Sequence, residues 1–203
     1  MTAGSAACAN STGDFAADDQ ASFIPAQRPI MSISFYDASV ASYIQTATAV
    51  AGILDRGLAH CLDKATDPEA LVETRLFPDM APLRFQVVSV AHHSIGALEG
   101  VKAGVFGPPT DKREHDYAGL QQVIADTLAA LKALTPEEVN ALAGKDVAFQ
   151  MRENRIPFTA EGFLLSFSLP NFHFHATTTY DILRSQGVPL GKRDYMGPLR
   201  LKA

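Results

Sequence analysis

Between Ser34 and Lys64, apolar side chains at Val40, Ile44, Ala47, Val50, Ala51, Leu54, Leu58 and Leu62 recur at three- and four-residue intervals, the period of an α-helix with one buried face. Asp37 offers a cap for its start. The same period returns in three further segments. Val87, Val90, Ala91, Ser94 and Leu98 predict a second long helix over about residues 82–98 with Gly100 as its stop. Leu120, Val123, Ile124, Leu128 and Leu131 predict a third over about residues 116–134. Thr159 offers an N-cap for a fourth, whose core stripe is Leu164, Phe167, Asn171, Phe174, His175, Thr178 and Ile182. It is interrupted at Pro170, continues to Arg184 and is capped by Gly187.

Shorter elements fill the gaps. Asp67-Pro68-Glu69 reads as N-cap, Pro at the first helical position and an acid in the first turn, opening a connector helix that carries Leu71 and Val72. Thr135-Pro136-Glu137-Glu138 is a capping box with Pro at the first position. Residues 101–115, with Gly104, Gly107, Pro108 and Pro109, read as a loop. Val147, Phe149 and Met151 alternate with Ala148, Gln150 and Arg152, a turn follows at Glu153-Asn154, and Ile156 and Phe158 resume, which predicts a small β-hairpin. The fold class that results is all-α: a four-helix bundle with a minor β-hairpin before the last helix.

Composition narrows the setting. The chain has 203 residues, 47% hydrophobic and 19% charged, as expected of one globular domain of ordinary size. Residues 1–30 are rich in Ala, Ser, Gly and Asp and lack both a basic leader and an apolar run, so they read as a disordered extension ahead of a domain spanning residues 31–203. Either Met1 or Met31 is compatible with the start of translation. With a net charge of −5 and no cluster of Lys or Arg, the chain lacks the footprint that nucleic acid requires, and no stretch is apolar enough to span a membrane. The two cysteines, Cys8 and Cys61, supply neither a disulfide framework nor a CxxC motif, which fits a reducing cytoplasm.

The chemistry-bearing residues concentrate in two places. In residues 169–184, a helix turns His175 inward beside Asn171 and Thr178 and carries His173 about 200° away. A strand would instead pair His173 with His175 as an HxH metal site, but the spacing of Phe174, His175, Thr178 and Ile182 favours the helix. On the second helix, His93 shares a line with Gln86 and Val90, whereas His92 shares one with Phe85, Ser89 and Gly96. Either histidine can meet His175 across the bundle. A catalytic zinc-like centre takes about three protein ligands, and the place four residues after His175 is held by Thr179, whose hydroxyl is a poor ligand. Two readings of His175 stand side by side: a buried histidine satisfied by hydrogen bonds, and a metal ligand or general base. Neither a G-x-S-x-G elbow nor an H-E-x-x-H pair is present, and residues 187–192 fall short of a P-loop.

Two motifs go beyond periodicity: Arg75-Leu76-Phe77-Pro78-Asp79-Met80-Ala81-Pro82-Leu83-Arg84-Phe85-Gln86-Val87, and Leu169-Pro170-Asn171-Phe172 through His175-Ala176-Thr177-Thr178 to Gly187-Val188-Pro189-Leu190-Gly191-Lys192-Arg193-Asp194-Tyr195. With the opening Ser34-Phe35-Tyr36-Asp37-Ala38-Ser39-Val40, they resemble the family named domain of unknown function nineteen ninety-three, over about residues 31–197. That family looks like a member of the DinB/YfiT-like superfamily, whose fold is a four-helix bundle, often dimeric. Members with known chemistry hold a divalent metal through one histidine of helix two and an HxxxH pair of helix four, and several use low-molecular-weight thiols in transferase or isomerase reactions. The resemblance maps these ligands to His92 or His93 and to His175, with Thr179 in the last place. It implies one divalent ion (zinc, nickel, iron or manganese), a homodimer, and a pocket to which Asp79, Gln86, Asn171, Thr178 and Thr179 contribute. Two functions follow as expectations: a metal-assisted transferase or hydrolase acting on a small molecule, and a metal-free small-molecule-binding or interaction protein with a structural buried histidine.

Overall fold

The computed structural model describes residues 33–109 and 114–202; the N-terminal extension and Cys8 lie outside them. Ser34, rather than Asp37, caps the first short helix α1 (Phe35–Ala38), accepting from the Asp37 amide. A break at Ser39 separates α1 from α2 (Val40–Lys64), which ends on Ala65 in the left-handed conformation. The buried face of α2 follows the expected stripe as far as Leu54 and then shifts, so that Cys61 is buried and Leu62 is 69% exposed. The connector α3 (Glu69–Val72) leads through an extended turn into α4 (Leu83–Ala91).

The second long helix runs further than its sequence suggests. After α4 comes a π-helical turn, His92–Gly96, and then α5 (Ala97–Ala103), closed by Gly104 at a φ of 75°. Gly100 lies inside the helix because Phe106 crosses it closely: a Cβ there would sit 2.9 Å from the Phe106 Cβ. The glycine is demanded by packing, and the left-handed stop falls four residues later. Residues 105–106, expected in a loop, form strand β1 (Val105–Phe106). The third long helix, α6 (Tyr117–Ala133), is capped by Asp116, and α7 (Pro136–Asn140) opens on the Thr135 capping box.

The chain is therefore mostly helical with a small sheet, not all-α. Strands β2 (Asp146–Met151) and β3 (Asn154–Thr159) pair antiparallel, with Met151 opposite Asn154, and β1 pairs parallel to β2, giving the order β1-β2-β3. Pro157 is accommodated because β3 is an edge strand. The last long helix comprises α8 (Ala160–Phe163), a second π-helical turn at Leu164–Ser168, and α9 (Leu169–Ser185). Pro170 does not interrupt it, because the widened turn just before it relieves the clash that a proline ring makes in a regular helix. The short α10 (Lys192–Met196) closes the chain against α2, where Asp194 pairs with Arg56 at 3.1 Å. Among the long elements, α4 packs on α9, α2 on α6, α2 on α9 and α4 on α6.

The second π-turn also moves the core stripe. Buried Ala160, Leu164, Ser168, Phe172 and Ala176 fall four apart, a spacing that drifts about 40° per step in a regular helix and that an extra residue per turn absorbs. Phe172 is consequently fully buried, whereas Phe174, expected in the core, is 57% exposed.

Candidate functional site

The histidines of the second and fourth long helices meet. The His93 and His175 rings stack with centroids 5.6 Å apart at 15°, and His92 meets His93 edge-on at 5.2 Å. Phe85 and Phe167 stand beside this cluster, and Phe106 stacks on His92 at 4.4 Å. His173, on another side of the helix, is half-buried and packs edge-on against Phe172.

Hydrogen bonds fix two tautomers. The Gln86 amide nitrogen donates to the Ala81 carbonyl at 2.9 Å, which turns its oxygen toward His175 Nδ1 at 2.8 Å. His175 must donate there, so its neutral form carries the proton on Nδ1 and a lone pair on Nε2. His92 Nε2 lies 2.8 Å from the Gly107 carbonyl, which can only accept, so its lone pair is on Nδ1. That Nδ1 sits 3.5 Å from where a Cβ on Gly96 would lie. His93 Nδ1 is buried and has no hydrogen-bond partner among the described residues.

The cluster holds its imidazoles neutral. Burial, reinforced by His92 and His175, pushes the His93 imidazole down to about 3, and burial with the nearby His92 pushes His175 down to about 4. Burial also lowers His92, partly offset by its bond to Gly107, and lowers His173. A base whose conjugate acid lies so far below neutrality is a weak proton acceptor at physiological pH but a good hydrogen-bond partner.

The other candidate side chains spend their polar groups on their own helix. Asn171 donates to the Phe167 carbonyl at 2.7 Å, Thr178 to Phe174 at 2.8 Å and Thr179 to His175 at 2.9 Å. Asp79 is exposed in the turn before α4. Gln86 alone among these five hydrogen-bonds an imidazole ring of the cluster in the described residues. The divalent centre implied by resemblance requires three protein ligands, and Thr179, in the last place, directs its hydroxyl into the helix backbone. Among the described residues, no group of three or more His, Cys, Asp or Glu side chains is arranged to hold a metal ion. The described residues do not fit a three-ligand metal centre.

A cavity of about 680 Å³ lies on the other side of the first π-turn, outside the expected pocket. Its walls are mainly apolar, from Val88, Ala91, Ile95, Phe106 and Val123, and its polar groups are His92, Glu99 and His115. His92 therefore belongs to both places: its ring packs against His93, and it also lines the cavity. Sequence periodicity put His92 on the line of Gly96, which is this wall, but nothing in the sequence revealed that β1 would return to close the groove.

A family model described as Domain of unknown function (DUF1993) matches residues 35–196. The chain belongs to that family. This DUF1993 member is also similar to a solved structure, that of a DinB family member protein from Shewanella denitrificans, with 27% identity and a TM-score of 0.70; the match covers 83% of this chain and 94% of that one. The DinB-like assignment rests on this likeness together with the family match. None of the proteins with a curated function matches the chain. Among the described residues of this DUF1993 chain, no helix is long and apolar enough to cross a membrane.

Proposed function

We propose that this chain is a DinB-like four-helix bundle that binds a small organic molecule without a metal, in the groove beside His92. The supporting observation is the groove itself: its volume lies in the range of small-molecule sites, its walls are apolar, and a histidine of perturbed ionisation lines it. The chemistry of the walls describes the ligand. His92 offers a lone pair at Nδ1, Glu99 offers an anion, and the remaining surface favours a hydrophobic body. The ligand class is thus an apolar molecule carrying an N–H or O–H donor, neutral or cationic; an organic anion would face Glu99.

The groove can be mapped by two-dimensional amide spectra of the protein titrated with neutral and cationic aromatic fragments. The expected result is saturable perturbation at Val88, Ile95 and Val123, abolished in Gly96→Leu. Gly96 is suited to this test because its backbone is helical and an added Cβ meets nothing closer than 3.5 Å, so the larger side chain fills the groove without backbone strain. Near-stoichiometric metal in protein purified without chelator, lost in a folded His175→Ala variant, would overturn the metal-free reading in favour of a metal-assisted transferase or hydrolase. The proposal places the protein in the cytoplasm, where the free, buried Cys61 stays reduced, and as a homodimer, which sedimentation showing only monomer at micromolar concentration would contradict.

A further inference from the structure

We infer that Ser168 is a positioning residue for the groove, acting through the π-turn that carries His92 and His93. The inference rests on the groove being the binding site. Two widened turns, His92–Gly96 and Leu164–Ser168, are joined by a side-chain hydrogen bond. A π-turn is a rare departure from the regular helix, frequent at functional sites, and persists where surrounding contacts hold it.

One such contact is specific. Ser168 Oγ lies 2.6 Å from the His93 carbonyl and 2.8 Å from the Tyr43 hydroxyl. A carbonyl only accepts, so Ser168 spends its single proton on His93, and Tyr43 must donate to Ser168. The chain of bonds therefore has one direction, from α2 through the second π-turn into the first. Tyr43 and Ser168 are both fully buried, a position where a hydroxyl is costly unless it is bonded, and an alanine or valine would be the ordinary packing choice. Burial holds the Tyr43 phenol above its ordinary range, which keeps it a donor. The tied carbonyl belongs to the residue next to His92, and His92, Ile95 and Gly96 of the same turn line the groove. Ser168 itself does not line it, so any effect on binding passes through the turn.

The test compares Ser168→Ala and Tyr43→Phe with the wild type in amide hydrogen exchange and in affinity for the neutral dye N-phenyl-1-naphthylamine, an apolar molecule with one N–H donor. In Ser168→Ala the His93 carbonyl loses its side-chain donor. Amides 92–98 are expected to exchange faster, selectively, and the dye to bind roughly tenfold more weakly, the fold-change of about one lost buried hydrogen bond. Tyr43→Phe leaves the Ser168 bond to His93 intact, so its loss of affinity is expected to be smaller. Should Ser168→Ala fail to fold, Ser168→Cys retains a small side chain with a much weaker donor and gives the same readouts. Lower melting temperatures in both variants, with wild-type protection at residues 92–98, would mean that Ser168 is only structural and would overturn the inference. If the wild type itself fails to bind the dye, the groove reading falls, while the exchange comparison still decides whether Ser168 holds the turn.

Discussion

Lowering the pH should unfold this protein through its histidine cluster. The ordinary imidazole value is about 6.5, and His93 and His175 are pushed down to about 3 and about 4 in the folded chain. Because the folded values lie below the unfolded ones, the unfolded chain takes up protons first as pH falls. Stability is therefore complete above about pH 6.5 and declines below it, until the folded groups themselves protonate. At pH 5 each unfolded imidazole is about 1.5 units past its midpoint while each folded one is still neutral. This corresponds to about 2 kcal/mol per group and about 4 kcal/mol for the pair. His92 and His173 are lowered too and act in the same direction. Against a typical total of about 5–15 kcal/mol, such a loss is large. Urea unfolding followed by far-UV circular dichroism suits a chain without tryptophan. The unfolding free energy should drop by about 4 kcal/mol between pH 8 and pH 5, and by about half as much in His93→Phe. Equal stability at the two pH values, or an undiminished drop in the variant, would refute the cluster as the source.

Other outcomes test the packing. Gly57→Ala places a Cβ 2.2 Å from the Tyr117 hydroxyl, which donates to the Leu54 carbonyl, so a loss of about 2–4 kcal/mol in urea unfolding is expected; a near-neutral effect would contradict the contact. Ala65→Gly relieves the left-handed conformation at the end of α2 and should stabilise by about 1 kcal/mol, seen as a higher urea midpoint with unchanged slope. Thr135→Ala removes the side-chain half of a capping box, the bond accepted from the Glu138 amide, and should cost about 1 kcal/mol in the same assay.

Local rules in the sequence were most legible where side chains act on nearby backbone. Thr135 and Thr159 cap the helices they announce, each accepting from an amide three residues on. The helical lines on two elements left open whether His92 or His93 meets His175, and the structure brings His93 and Gln86 to it. What escaped was long-range. Gly100 looked like a helix stop because the residue that requires it, Phe106, arrives only when β1 joins β2. Phe172 and Phe174 exchanged places because the core stripe was drawn on a regular helix, whereas four-residue steps from Ala160 to Ala176 call for a wider turn. The groove beside His92 was hidden for the same reason as β1, since its walls come from α4, α5, β1 and α6.

The most direct test is one titration: N-phenyl-1-naphthylamine, an apolar fluorophore with one N–H donor, added to chelator-treated protein and to its Gly96→Leu variant, with fluorescence read to saturation. Saturable single-site binding that survives the chelator and weakens at least roughly tenfold when the groove is filled is the expected result. Absence of saturable binding, equal binding by the filled variant, or binding restored only by adding a divalent metal would contradict it.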